Sequence, residues 1–173
     1  MRSSSTNFIP MSVAILTVSD TRTKDNDSSG QYLADAATKL GHRIADRKIV
    51  IDDVYQLRAV VSDWIATPDI HCVISTGGTG FTGRDSTPEA LRPLFDTSID
   101  GFGELFRAAS YDDIGTSTVQ SRACAGMANK TLIFCLPGST GACQTGWNKI
   151  LFEQLDSRHK PCNFVTHTNA ALS

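Results

Sequence analysis

The segment "SVAILTVS", residues 12–19, is apolar at nearly every position and turns polar only at its end. A strand with one wet face alternates, so an unbroken run like this belongs in a sheet covered on both faces, which is the environment of parallel strands. The same alternation of run and stripe then repeats. After the polar loop "DTRTKDND", Ser28-Ser29-Gly30-Gln31 fits a capping box, Tyr32, Leu33, Ala36, Ala37 and Leu40 form one helical stripe, and Gly41 ends it. "HRIADRKIVI" reads as a strand with one exposed face. Asp52 and Asp53 open a second helix, with Leu57, Val60, Val61, Trp64 and Ile65 at helical spacing and Pro68 as its stop, and "HCVIST" is a third strand. The order β-α-β-α-β predicts an α/β fold with a mostly parallel central sheet.

Further along, Ser86 or Thr87 is expected to cap a short helix with Pro88 in its first turn, and a longer helix is expected from about Gly103, with Phe102, Leu105, Phe106 and Ala109 on one face. "VQSRACAGMANK" is ambiguous by pattern. We read it as a strand paired with "KTLIFCLPGS" in a small hairpin turning at Asn129-Lys130. Ser139 or Thr140 then caps a last helix carrying Ala142, Trp147, Ile150, Leu151 and Leu155. We take residues 11–165 as a single domain and residues 1–10 and 166–173 as flexible tails. At 173 residues such a domain buries a full core without a metal or disulfide to hold it.

Between the third strand and the next helix lies "STGGTGFTGRDSTPEAL", residues 75–91, with four glycines. Gly78, Gly80 and Gly83 spell G-x-G-x-x-G, but the dinucleotide fingerprint belongs to the first strand-helix turn, and its helix begins inside the motif. Here the helix waits for Pro88. A P-loop requires a Lys, and none lies between Cys72 and Leu94. What remains is a loop in which glycines allow positive φ, so that several amides can converge on an anion. The plain alternative is a turn without a ligand.

If the sheet is parallel, other loops share that rim: Ser19-Asp20, Asp52-Asp53, Asp85, and "LPGST", where Gly138 and Ser139 lead into a capped helix N-terminus that favours phosphate. Carboxylates beside a phosphate site call for a cation, and Mg2+ held by one or two carboxylates plus substrate phosphates answers that need. Structural roles stand beside these readings. Asp52 or Asp53 can cap the helix, Asp85 can pair with Arg84 or cap the next helix, and Glu104 with Arg107 can be a surface ion pair.

Bulk composition excludes other classes. A net charge of −2 and a pI near 6.0 give no general attraction for nucleic acid. The first apolar run is too short for a signal peptide or membrane span, so no membrane partner is expected. Five cysteines without a C-x-x-C pair read as reduced thiols of a cytoplasmic protein, and the four histidines have no ligand spacing.

The ordered set "TGGTG", Asp85, "TPEA", "GFGE" followed by "FR", "IGTS", "SRA" with "AG", and "LPGS" resembles the MoaB/MogA family of molybdenum-cofactor biosynthesis proteins, from about Val13 to Phe164. The resemblance implies a three-layer α/β molybdopterin-binding fold and assembly as a homotrimer or a hexamer built as a dimer of trimers. It implies that molybdopterin is adenylylated with Mg-ATP, giving adenylyl-molybdopterin and pyrophosphate. It places the catalytic, metal-holding acids on Asp52 and Asp85. Substrate contacts fall on Thr76, Gly77, Gly78, Thr79, Gly80, Glu104, Gly138 and Ser139, and more loosely on Ser19 and Asp20. The alternative is a noncatalytic molybdopterin-binding or carrier protein on the same fold.

Overall fold

The computed structural model describes residues 7–172. One six-stranded sheet runs through it in the order β2-β1-β3-β6-β5-β4. β1 (Ser12–Val18), β2 (Arg43–Val50), β3 (Cys72–Thr76) and β6 (Thr131–Leu136) are parallel neighbours, while β5 (Cys124–Ala128) runs antiparallel to β6, and β4 (Thr97–Ser98) antiparallel to β5. Every residue of β1, β3 and β6 is buried, as an apolar run without alternation requires.

Two helical layers cover the sheet. Helices α1 (Ser28–Leu40), α4 (Asp100–Ile114) and α5 (Thr140–Gly146) pack Leu33, Phe102, Phe106 and Cys143 onto the face carrying Val13, Ile15, Ile74 and Phe134. α2 (Val54–Ala66) and α3 (Thr87–Leu91) pack Leu57, Val61, Trp64 and Leu91 onto the face carrying Ala14, Leu16, Val73 and Ile133. The chain therefore has the expected three-layer α/β sandwich. The hairpin also forms: Asn129 (φ 48) and Lys130 (φ 62) make the left-handed two-residue turn between β5 and β6.

Several local expectations need correction. The N-cap of α1 is Asp27, whose carboxylate accepts from the Gly30 amide, so the box at Ser28 does not close the helix start. Only Asp53 caps α2, accepting from the amides of Tyr55 and Gln56. Ser86 precedes α3 without a side-chain cap bond, because its hydroxyl is directed elsewhere. α4 begins at Asp100, three residues before Gly103, and Gly115–Gln120 is a 3₁₀ turn, so the strand starts only at Cys124. α5 continues through a π turn at Trp147–Leu151 into α6 (Phe152–Gln154). At the ends, Ile9 N donates to Ser157 Oγ at 2.8 Å, and Thr168 and Ala170 are buried, so described parts of both expected tails pack on the core. Residues 1–6 and Ser173 lie outside the described residues.

Candidate functional site

β1, β2, β3 and β6 end on one rim. Because β1 connects outward to β2 on one side while β3 lies on its other side, the chain reverses direction between β1 and β3, and the crevice at such a switch is where open α/β sheets take ligands. A cleft of about 900 Å³ opens there. Its floor joins the ends of three strands: Ser19 after β1, the glycine loop after β3, and Pro137-Gly138-Ser139 after β6. Ser110 and Asp113 of α4 and Lys149 of the π turn complete its wall.

The glycine loop is fixed by its backbone. Gly77 N donates to Leu136 O at 2.9 Å, while Thr87 donates its hydroxyl to Gly77 O at 2.8 Å and its amide to Gly78 O at 2.9 Å. Gly77 (φ 105) and Gly78 (φ 68) are left-handed, and a Cβ on Gly77 would strike the carbonyl of Val18. Among the described residues no acceptor takes the amides of Gly78 or Thr79, which leaves them for a ligand.

Two carboxylates flank this loop. A Cβ on Gly78 would lie 2.7 Å from Asp52 Oδ2, and one on Gly80 would lie 2.8 Å from Asp85 Oδ2. Asp52 Oδ1 accepts both the amide of Ser86, at 3.0 Å, and its hydroxyl, while Oδ2 accepts from no donor among the described residues. Asp85 Oδ2 accepts the amide of Thr82 at 2.8 Å and its hydroxyl at 2.6 Å. Burial pushes the Asp85 carboxyl up, but these bonds, the Gly80 amide and the nearby Arg122 charge outweigh it and hold the group below the usual carboxylate range.

Arg122, just ahead of β5, holds the loop from behind. Its Nε donates to Gly80 O and its Nη2 to Asp85 O, each at 2.7 Å, and its Nη1 pairs with Glu89. The rigid guanidinium fork suits three acceptors in fixed positions. Asp20 pairs with Arg84 rather than with the ligand face, and Arg84 bonds hold its carboxyl low.

The second cradle is at β6-α5. Ser139 Oγ accepts from Ala142 N at 3.1 Å, and the first backbone bond of α5 runs from Cys143 N to Ser139 O, so the amides of Thr140 and Gly141 precede the helical ladder. Gly138 packs backbone on backbone with Gly77, whose Cα would lie 3.3 Å from an added Cβ. The cations of this cleft are Arg22 and Lys149. Arg22 spans Ser28, Ser29 and Gly138 O, each at 3.3 Å, and lies 3.8 Å from the carboxylate of Asp27. Asp27 is buried, accepting from Thr17 Oγ1 at 2.8 Å and Arg47 Nη2 at 2.9 Å.

The structure therefore brings Ser19, Thr76, Gly77, Gly78, Thr79, Gly80, Asp85, Gly138 and Ser139 into one cleft, whereas Asp20 and Asp52 do not line it, Asp20 being turned to Arg84 and Asp52 lying beside Gly78 with one oxygen bound to Ser86. Glu104 lies apart, lining a smaller hollow of about 310 Å³ with Arg92 and Cys124. The surface pair of Glu104 with Arg107 is not formed either, since Arg107 Nη1 donates to the carbonyls of Ser121 and Ala123. Sequence reasoning missed Arg22 and Arg122 as site residues. Arg22 is a lone arginine in a polar loop without a local pattern to mark it, and Arg122, although it stands in the "SRA" motif, reaches the loop only through the tertiary fold. Among the described residues no three His, Cys, Asp or Glu side chains converge as a preformed metal site, and no helix is long and apolar enough to cross a membrane.

The geometry has counterparts among known proteins. Residues 14–157 match the family model described as a probable molybdopterin binding domain. The chain is 56% identical over 163 residues to molybdenum cofactor biosynthesis protein B of Escherichia coli, covering 94% of this chain and 96% of that one. It is 42% identical over 142 residues to the protein of the same name from Bacillus cereus, covering 82% and 84%. The crystal structure of the tungsten cofactor synthesizing protein MoaB from Pyrococcus furiosus superposes with a TM-score of 0.76 at 38% identity, over 83% of this chain and 92% of that one. A domain match across most of the chain, together with full-length relatives that share its fold, leads to one conclusion: the chain belongs to the MoaB/MogA family of molybdenum-cofactor biosynthesis proteins.

Proposed function

We propose that this chain binds molybdopterin in the rim cleft and adenylylates it, the terminal phosphate of molybdopterin attacking the α-phosphate of Mg-ATP and pyrophosphate leaving. The observation that carries the reading is the placement of two carboxylates, Asp52 and Asp85, against alternate glycines of one loop, Gly78 and Gly80, at a cleft that also contains a helix N-terminus. Nucleotidyl transfer asks a protein to position two phosphates and balance charge, and it needs no nucleophilic side chain because the substrate supplies its own.

Each part of the site has a task in this scheme. The amides of Gly78 and Thr79 take one phosphate, and those of Thr140 and Gly141 beyond Gly138-Ser139 take the other. Thr76 braces the cradle, donating its hydroxyl to Pro137 O at 2.9 Å. Asp52, through its undonated Oδ2, and Asp85 would hold Mg2+, which supplies neutralisation of the phosphate charge when bound. The residues fit such an ion only as partial ligands completed by substrate oxygens, in keeping with Mg2+ chemistry. Arg22 and Lys149 balance the remaining charge. Ser19 and Asp20 act from the rim, Ser19 Oγ ordering the following turn through the Arg22 amide at 3.1 Å. We take the protein to work in the cytoplasm, in keeping with buried free thiols at Cys72, Cys124, Cys135 and Cys143.

The test is incubation of the purified protein with molybdopterin, Mg2+ and ATP, followed by detection of adenylyl-molybdopterin and pyrophosphate. Asp85→Asn should lower product formation on the order of 100-fold. One observation favours a second reading, a noncatalytic molybdopterin carrier: Asp52 Oδ1 is already engaged by the amide and hydroxyl of Ser86 and so has a structural role in joining two loops. Molybdopterin binding without product in the wild type would select the carrier.

A further inference from the structure

Outside the cleft, two thiols face each other across the hairpin. Cys124 of β5 and Cys135 of β6 are direct register partners. The two-residue turn closes on Ala128 and Thr131, so by the alternation of an antiparallel ladder the pair of Cys124 with Cys135 is a hydrogen-bonded one. Such pairs have Cα atoms about 5.5 Å apart, inside the about 4.4–6.8 Å that a disulfide spans. Both side chains enter the same core layer, between the sheet and α2 with α3.

The two are not equivalent. Cys135 is fully buried, whereas Cys124 is 8% exposed and lines the 310 Å³ hollow with Arg92 and Arg107, so a small reagent reaches Cys124 first. The neighbouring Cys135 thiol lowers the Cys124 thiol, burial opposes this, and Arg92 and the Arg122 charge add to the lowering, while the neighbouring Cys124 and burial raise Cys135. Ser75, the register partner of Cys135 on β3, has a buried hydroxyl with no hydrogen-bond partner among the described residues. The remaining thiols lack this arrangement. Cys72 and Cys143 are buried and pushed up by desolvation, and Cys162 is exposed.

We propose that Cys124 and Cys135 form a dithiol site that a hydroperoxide converts reversibly into a cross-strand disulfide. The Cys124 thiolate attacks one peroxide oxygen, the O–O bond breaks, and the leaving oxygen takes the electron pair and a proton to become water or an alcohol, leaving Cys124 as a sulfenic acid. Cys135 sulfur then attacks Cys124 sulfur, the S–O bond breaks, and water departs with the Cys135 proton. The two sulfurs together lose two electrons and the peroxide gains two. The bond would tie the start of β5, two residues beyond Arg122, to the end of β6, just before Pro137 and Gly138 of the cleft.

The test uses the full chain with Cys162→Ser, so that exposed thiols cannot cross-link molecules. After treatment with hydrogen peroxide and alkylation, tryptic digestion without reductant should give peptide 123–130 joined to peptide 131–149, and thiol reductant should separate them. Fragmentation should assign the bond to Cys135 rather than Cys143. In Cys135→Ala the link should vanish and dimedone should label Cys124, with circular dichroism checking that the variant folds. Both thiols remaining alkylatable after peroxide, or a bond through Cys143, would overturn the proposal, and this outcome is read from the Cys162→Ser protein alone.

Discussion

Asp20 and Arg84 meet across the rim: Arg84 Nη2 lies 2.7 Å from both carboxylate oxygens of Asp20, and its Nε lies 3.0 Å from Oδ2. Asp20 Oδ1 also accepts the Asp52 amide at 3.0 Å, so one exposed carboxylate ties the turn after β1, the entry to α2 and the glycine loop together. An exposed pair contributes little to global stability, but it fixes the geometry of what it joins. Arg84→Ala should therefore leave the unfolding midpoint nearly unmoved while weakening Mg-ATP binding roughly tenfold, because the loop loses its orientation. Calorimetric titration of ATP beside a thermal melt checks both halves, and a lower melting temperature with unchanged affinity would contradict the assignment.

Gly78 offers a second test, since its φ of 68 disfavours any side chain and a Cβ there meets Thr87 Oγ1 and Asp52 Oδ2. Gly78→Ala should cost about 2 kcal/mol of stability and displace the Asp52 carboxylate. Gly83→Ala is the internal control: an added Cβ there has no neighbour within 4 Å, so the unfolding curve should not move. Chemical denaturation of the two variants side by side measures the difference.

Acid sensitivity should report on His42. Its ring is buried, its Nδ1 accepts the Met11 amide at 3.0 Å, and desolvation pulls its pKa down to about 4. The unfolded chain binds the proton from about pH 6.5 downward while the folded one does not, so stability is complete above pH 6.5 and falls as pH drops toward 4, by up to about 3 kcal/mol. Buried Asp27 acts in a lower window. Burial raises its carboxyl, but Arg47, Thr17 and the Gly30 amide prevail and lower it, so its contribution is lost only once the pH passes below the ordinary carboxylate value of 3.8. Urea midpoints at pH 7 and pH 5 should differ clearly in the wild type and much less in His42→Gln.

Local pattern carried much of this molecule. The unbroken runs at β1, β3 and β6 marked a sheet covered on both faces, and the glycine loop and "LPGST" marked two of the loops that line the cleft. What was not legible is long-range. Asp27 caps α1 because Arg47 and Thr17, distant in sequence, enclose its carboxylate, and a capping box at Ser28 looks as good on paper. Arg122 reaches Gly80 and Asp85 only because β5 turns back beside β6. Glu104 fell outside the cleft for the same reason, since α4 turns it toward Arg92 and the hollow at Cys124.

Assembly is the remaining expectation to test. Along α4, Leu105, Ala108, Tyr111 and Ile114 recur every third residue and all are exposed, Leu105 at 53% and Tyr111 at 56%. The following 3₁₀ turn folds back on the helix, Thr118 Oγ1 donating to Arg107 O at 2.9 Å, and leaves Val119 at 75%. Apolar side chains gathered on one element of a small domain mark a surface that another chain covers. A closed ring of identical copies joins such a surface to a second, complementary one on the next subunit, the arrangement expected for a trimer or a trimer pair. Light scattering should therefore give three or six times 18.7 kDa, and Leu105→Glu with Val119→Glu should shift the mass to a single copy while the circular dichroism stays unchanged. A wild-type mass of 18.7 kDa at working concentration would remove the trimer from consideration, and an unmoved mass in the double variant would assign the interface to another face.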